Sequence, residues 1–110
     1  MNPPNQPFFS SWIDSPSLLD PRLAQRHSTV MQFQNGYRIS IVYGAGLYST
    51  AIDGFPFKGT FDKDKALASS IEIAIFNPNN EFIPFKDGQD VKGYVTPDEL
   101  ADIIVWTRNL

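Results

Sequence analysis

Alternating apolar residues on both sides of an Asn-Gly pair constrain this chain more than any other feature of its sequence. Across residues 31–43 the apolar side chains fall at every second position on either side of Asn35 and Gly36. That period is typical of a β-hairpin with one apolar face. A two-residue turn would set apolar residues opposite polar ones. A three-residue loop with Gly36 in a left-handed G1 bulge aligns Met31 with Ile39 instead, so the sequence predicts this second register.

A second hairpin is indicated by the apolar runs at residues 71–76 and 81–85. They flank the turn sequence Asn-Pro-Asn-Asn at residues 77–80, where Pro78 fits a type I turn. With Asn80 in the left-handed conformation, one face of this hairpin also becomes apolar. The cross-strand pairs predicted are Ile75 with Ile83 and Ile73 with Phe85.

The C-terminal residues 93–110 carry the signals of a helix start. Thr96 offers an N-cap hydroxyl, Pro97 fits the first helical position, and Glu99 completes a capping box. The apolar positions that follow repeat at helical spacing and form a stripe that another element must cover. The residues expected in the core are Ile39, Ile41, Ile73, Ile75, Ile83, Phe85, Leu100, Ile103 and Ile104.

These signals predict an α+β fold. An antiparallel sheet of four or five strands, formed by two hairpins and a short strand at residues 91–95, carries the C-terminal helix across one face. Residues 28–110 are the single domain. Residues 1–27 are a Pro-rich N-terminal arm cut into pieces too short for a strand, with a possible short helix from Asp20-Pro21 through His27. The apolar residues of this arm pack either on their own domain or on a second copy.

Composition excludes several classes of function. The chain has 110 residues, a net charge of −3 and no cysteine, and its pI is about 4.9. An acidic balance argues against general binding to nucleic acids or anionic membranes, because phosphate contacts need clustered Lys and Arg. The lack of cysteine fits a reducing compartment, and no membrane span or secretory signal is predicted, so we expect a cytoplasmic protein.

The sequence offers weak candidates for chemistry. The turn from Gly44 to Tyr48 follows a strand and could cradle a phosphate, but it lacks the rest of a Rossmann or Walker motif, and a plain loop is the stronger interpretation. Two carboxylates near residues 62–64 and two near 87–90 are too few for a calcium loop, so we expect no metal. Glu72 and Glu81 would lie near each other in the second hairpin, although an acid-base pair is a much weaker interpretation than two surface residues. His27 is expected at an exposed helix end. No cofactor and no enzyme activity are predicted.

The connection at residues 44–69 is long for a compact domain, and its glycines and phenylalanines combine mobility with contact area. Aromatic residues and Arg dominate binding surfaces. Five residues in or beside this connection are therefore predicted to line a binding site, although for any single one of them a structural anchor of a loop is the stronger interpretation. These residues are Arg38, Tyr43, Tyr48, Phe55 and Phe57.

Three segments of the chain resemble a group of small phage and prophage proteins. They read NGY-x-ISI at residues 35–41, IEIAIF at 71–76 and DV-x-GYVTPDEL at 90–100. The resemblance covers about residues 31–110 and leaves out the arm. It implies a virus-encoded accessory protein in the cytoplasm of a host bacterium, and proteins of this kind often act by binding.

Two functions follow as hypotheses. In the first, the protein inhibits a host protein, of metabolism or of anti-phage defence, by binding it through an acidic surface and an aromatic loop. In the second, it is a sponge for a small nucleotide immune signal, which is held at a subunit interface by the turn from Gly44 to Tyr48, Arg38 and stacked tyrosines. The apolar arm and the wide stripe of the helix predict a homodimer or higher homo-oligomer.

Overall fold

The computed structural model describes residues 7–14, 26–44, 46–52, 54–56 and 67–110. This part of the chain forms six strands and one helix. They are β1 (Phe8–Asp14), β2 (Arg26–Gln32), β3 (Arg38–Gly44), β4 (Thr50–Ala51), β5 (Ala68–Phe76), β6 (Val91–Val95) and α1 (Pro97–Arg108). The strands build one antiparallel sheet in the order β1-β2-β3-β5-β4, and β6 also pairs with β5. The predicted α+β class, a sheet with one C-terminal helix, is confirmed, but the predicted number of four or five strands is wrong, because the described residues form six.

The hairpin of β2 and β3 has the predicted register. Met31 pairs with Ile39, and the Phe33 N–H donates to the Tyr37 carbonyl at 2.9 Å. Gly36 has φ 87°, which is the left-handed conformation that the G1 bulge requires. The bulge keeps alternate residues of both strands on one face, and this face becomes the core.

The second hairpin follows the prediction only near its turn. Asn80 is left-handed at φ 64°, Phe76 bridges Phe82, and the Ile83 N–H donates to the Ile75 carbonyl at 2.8 Å. The predicted pairing of Ile73 with Phe85 is wrong, because Ile73 pairs with Lys92 of β6.

The reason lies in a third turn. The Phe85 N–H donates to the Gln89 carbonyl at 2.9 Å, and the Gly88 N–H donates to the Phe85 carbonyl at 2.8 Å. Gly88 is left-handed at φ 81°, as Gly36 and Asn80 are in the first two turns. This turn reverses the chain so that β6, rather than residues 83–85, continues the ladder along β5.

The N-terminal residues depart furthest from expectation. Residues 8–14, predicted to be too short for a strand between prolines, form β1 and pair with β2 from Phe8 opposite Gln32 to Asp14 opposite Arg26. This part of the arm therefore packs on its own chain. The predicted short helix through His27 is also wrong at its end, because Arg26 and His27 begin β2. Its start at Asp20 lies outside the described residues, and the predicted boundary between residues 27 and 28 falls inside β2.

The helix begins as predicted. Thr96 is its N-cap, its side chain accepts from the Glu99 N–H at 3.3 Å, and Pro97 occupies the first helical turn. The helix covers the sheet face that carries Ile39 and Ile73. Four buried residues, Ile39, Ile73, Ile75 and Val95, are packed by Phe33, Ile41, Ile71, Ile83, Phe85, Leu100, Ile103 and Ile104. All nine predicted core residues belong to this cluster, which also contains three residues that were not predicted, Phe33, Ile71 and Val95.

Candidate functional site

An irregularity in the pairing of β5 with β6 produces an unusual backbone conformation at the surface of the sheet. Ile71 pairs with Val95, whereas Ile73 pairs with Lys92, so β6 contains one residue more than β5 between these pairs. The extra residue is accommodated by Tyr94, whose φ is 55°. Bulky side chains rarely adopt this left-handed conformation, which costs roughly 1–2 kcal/mol. The bulge thus places a strained aromatic residue in the sheet.

Tyr94 is fixed to the loop that follows β3. Its backbone N–H donates to the Tyr48 carbonyl at 2.9 Å. The neighbouring Gly93 lies directly against the Tyr48 side chain, because a Cβ added at residue 93 would be only 2.4 Å from the Tyr48 Cβ. Glycine at residue 93 therefore lets the loop lie flat on the edge of β6.

Buried polar contacts hold this loop in place. The Ser49 side chain is buried, and its hydroxyl accepts from the Gly44 N–H at 3.1 Å and donates to the Gly44 carbonyl at 3.2 Å. The Tyr48 N–H donates to Glu72 Oε1 at 3.2 Å. The loop is thus tied to β3 at one end and to β5 and β6 at Tyr48, so its conformation is set by the sheet.

The result is two tyrosine rings side by side on the surface. The ring centroids of Tyr48 and Tyr94 are 6.2 Å apart, with an angle of 53° between the ring planes. The two residues are 58% and 57% exposed. We call this pair, with the Glu72 carboxylate bound to the backbone of Tyr48, the tyrosine ledge. Exposed, preorganised aromatic rings next to a carboxylate are suited to binding a cationic side chain.

Arg38 begins β3, whereas the ledge residue Tyr48 lies in the loop that follows the end of this strand, so the structure separates Arg38 from the ledge. Arg38 pairs with Phe76 across the sheet, its guanidinium lies 5.3 Å from the Phe76 ring centroid, and its Nη2 donates to Asn80 Oδ1. Tyr43 is five residues further along β3, so the two side chains lie on opposite faces and about 16 Å apart along the strand. Arg38 stabilises the turn of the second hairpin.

Tyr43 stacks on His27 of the neighbouring strand. Their ring centroids are 4.8 Å apart and the planes differ by 7°. Burial raises the pKa of the Tyr43 phenol above its ordinary value of 10.0. His27 is half-buried in β2, so its predicted place at an exposed helix end is wrong. This pair extends the packed face of the sheet toward the end of β3.

Of the two predicted phenylalanines, Phe55 is described and is 66% exposed. Its carbonyl accepts from the Ala51 N–H at 2.8 Å, which closes a short turn after β4. Phe57 lies outside the described residues. Of the five predicted site residues, the structure therefore places Tyr48 in the ledge and Phe55 on the surface of the same connection. Tyr94 and Gly93 were missed, because nothing in the local sequence marks Tyr94 as left-handed.

Four backbone N–H groups in the described part of the turn after β3 are already engaged. Those of Gly44 and Tyr48 donate to Ser49 Oγ and Glu72 Oε1, and those of Leu47 and Ser49 donate to carbonyls within the turn. A phosphate cradle needs several converging free N–H groups. The described part of this turn offers a carboxylate instead, which repels a phosphate.

The other candidates for chemistry are dispersed. Glu72 binds the Tyr48 N–H, whereas Glu81 Oε1 accepts from the Asn77 amide at 3.2 Å in the hairpin turn. The two carboxylates therefore do not form the pair considered from the sequence. Asp87 accepts from the Gln89 N–H within its own turn. Among the described residues no group of three or more His, Asp or Glu could hold a metal ion.

The chain finds no match among protein-family models, curated proteins or solved structures. No helix in the described ranges is long and apolar enough to cross a membrane.

Proposed function

We propose that this protein is a non-enzymatic binding protein that inhibits a host protein by contacting a basic segment of it through the tyrosine ledge. The observation that carries the proposal is Tyr94, a bulky residue in the left-handed conformation with more than half of its surface exposed. The Tyr94 side chain lies outside the core cluster, so its own burial does not offset the cost of the strain. Strain of this kind is concentrated at functional sites, where the surrounding structure maintains it.

The chemistry of the ledge favours a cationic group. Lys and Arg side chains are attracted to the faces of tyrosine rings, and this attraction contributes roughly 0.5–2 kcal/mol. Glu72 adds a negative charge at the Tyr48 backbone N–H, and the whole chain carries a net charge of −3. A basic partner surface would therefore associate faster and bind more tightly at low salt.

Viral origin and a host target rest on the resemblance of residues 31–110 to small phage and prophage proteins. Accessory proteins of this size usually act by occupying a surface of a host enzyme or defence complex. A rigid ledge that needs no cofactor is compatible with that mode of action. No specific observation supports the hypothesis of a nucleotide sponge. The turn after β3 presents a carboxylate, and Arg38 lies at the end of β3 opposite to this turn.

The test compares affinity capture from host lysate by the unaltered protein and by three variants, with mass spectrometry of the bound proteins. Tyr94→Gly removes one ring and relieves the strained backbone, and Glu72→Gln removes the charge while keeping an oxygen for the Tyr48 N–H. Phe82→Ser is the control, since Phe82 is another half-exposed aromatic residue away from the ledge. We expect a stoichiometric host protein that is retained by the control and lost by Tyr94→Gly.

The captured protein is then purified and its affinity measured by calorimetry at two salt concentrations. Tyr94→Gly should weaken binding about tenfold or more, and Glu72→Gln should reduce the salt dependence. Equal binding by Tyr94→Gly and the unaltered protein would contradict the proposal. Release of an intact nucleotide on heating the protein purified from infected cells, with no protein captured, would favour the sponge.

A further inference from the structure

A second surface, formed by residues other than those of the ledge, lies where α1 meets the segment between the second and third turns. Its floor is apolar and is formed by Ile75, Ile83, Phe85 and Ile103. Trp106 forms one wall and is 51% exposed. The recess has a volume of about 450 Å³. We call it the Trp106 groove.

The groove exists because the helix carries more apolar surface than the sheet covers. Leu100, Ile103 and Ile104 pack on the core. Trp106 lies one turn beyond Ile103 at the flank of this stripe. It faces the segment between the second and third turns, which is not part of β5. A half-exposed indole beside an open apolar recess is unfavourable in water and is typical of an interface.

Two opposite charges stand at the rim of the groove. Lys86, in the third turn, and Asp102, on the helix, both line it. Neither takes part in an ion pair with another residue of the described chain, whereas Lys92 and Glu99 nearby are paired at 3.2 Å. The rim thus carries one cation and one anion that are not paired with each other.

We propose that the Trp106 groove is the interface between two copies of this chain related by a twofold axis. In such an interface, when one residue of the first copy contacts a second residue of the other copy, the reverse contact is made as well. One surface must therefore supply both members of every contact. This surface does so, since it carries a half-exposed indole beside a recess, and both a lysine and an aspartate at the rim. Trp106 of each copy enters the recess of the other, and Lys86 of each copy pairs with Asp102 of the other. An unrelated partner would require neither form of self-complementarity.

Charge exchange tests the pairing. Lys86→Asp leaves two acids on its rim and Asp102→Lys leaves two bases, so each variant alone places like charges across the twofold axis. An equimolar mixture restores both pairs in a heterodimer. By sedimentation equilibrium we expect the unaltered chain to be a dimer at roughly tens of micromolar, each single variant to dissociate about tenfold more readily, and the mixture to recover. Mixing that fails to restore association would overturn the assignment.

A matched pair on α1 tests the ring. Trp106→Ser should abolish the dimer, and Val105→Ser is the control because Val105 is 48% exposed on the same helix but does not line the groove. Thermal unfolding of each variant confirms that it folds. A 12.4 kDa monomer for the unaltered chain, or equal association of both serine variants, would overturn the proposal. The ledge variants should leave association unchanged, so failure of this proposal and failure of the binding function are distinguishable.

Discussion

The Asn35 side chain, in the turn of the first hairpin, donates a hydrogen bond of 2.9 Å to the carbonyl of Thr107 in the last turn of α1. The same amide also approaches the carbonyls of Arg108 and Leu110 at 3.2 and 3.3 Å. The last carbonyls of a helix have no partner within the helix, and a side chain from elsewhere commonly caps them. Thr107 itself is fully buried. The turn of the first hairpin therefore caps the C-terminal end of α1.

Substitution of Asn35 should separate its two roles. Asn35 Oδ1 accepts a hydrogen bond from the Tyr37 N–H at 3.1 Å, and Asn35→Asp keeps an oxygen for this bond. The substitution removes the side-chain N–H donor to the helix and adds a negative charge at the negative end of the helix. We expect a loss of about 1–2 kcal/mol in the free energy of unfolding, measured by urea denaturation. Asn79→Ala, at an exposed turn position, is the control and should cost less than about 0.5 kcal/mol. Equal stability of both variants would show that the cap contributes nothing.

Gly36→Ala tests the bulge of the first hairpin. At φ 87° an alanine is strained, so the variant should be less stable by about 1 kcal/mol or more. Gln34→Ala in the same turn provides the comparison, because that residue does not have a positive φ. Identical melting temperatures for the two variants would be incompatible with a left-handed residue 36.

The turns and the start of the helix could be predicted because their chemistry is local. Gly36 and Asn80 are residue types that tolerate positive φ, and Thr96 with Glu99 is a capping signal within one turn. Contacts such as that of Asn35 with Thr107, 72 residues apart in the sequence, carry no local signal. The strand β1 also carries no local signal, because prolines flank it and its pairing with β2 is not visible in its own sequence.

The candidate site was the least predictable part for the same reason. Tyr48 was identified as an aromatic residue in a long connection, but its neighbour in the ledge comes from β6. Tyr94 takes its conformation from a mismatch of register between β5 and β6, which is a property of the two strands together. Arg38 was grouped with the tyrosines by residue type, although its strand position directs it to the Asn80 turn.

Gly93→Ala should disturb the contact between β6 and the loop after β3. The added Cβ would lie 2.4 Å from the Tyr48 Cβ, so the loop must move, at a cost of roughly 1–3 kcal/mol. Tyr48→Gly removes the atom that clashes. In a double-mutant cycle measured by urea denaturation, Gly93→Ala should therefore cost much less in the Tyr48→Gly background. Additive effects would argue against direct contact between the two residues.

Acid should weaken the start of the helix. The hydrogen bond from Lys92, and then that from the Thr96 backbone, lower the pKa of Glu99 below its ordinary value of 4.5. A carboxylate with a depressed folded-state pKa stabilises the protein above its unfolded pKa, and this contribution is lost as the pH falls from about 4.5 through the folded value. Glu99→Gln can still complete the capping box but does not titrate. Urea midpoints between about pH 6 and about pH 3 should fall less for this variant, and parallel curves would contradict the assignment.

Phe55→Ser tests how far the binding surface extends along the connection between β4 and β5. Because the ring is 66% exposed, its removal should change the free energy of unfolding by less than about 0.5 kcal/mol. If Phe55 belongs to the partner site, as its position in the sequence predicted, the affinity for the captured host protein should fall by about 1–2 kcal/mol, measured by calorimetry beside Tyr94→Gly. Normal binding with normal stability would confine the site to the tyrosine ledge. A lowered melting temperature with binding intact would show that Phe55 anchors the turn after β4 and does not touch the partner.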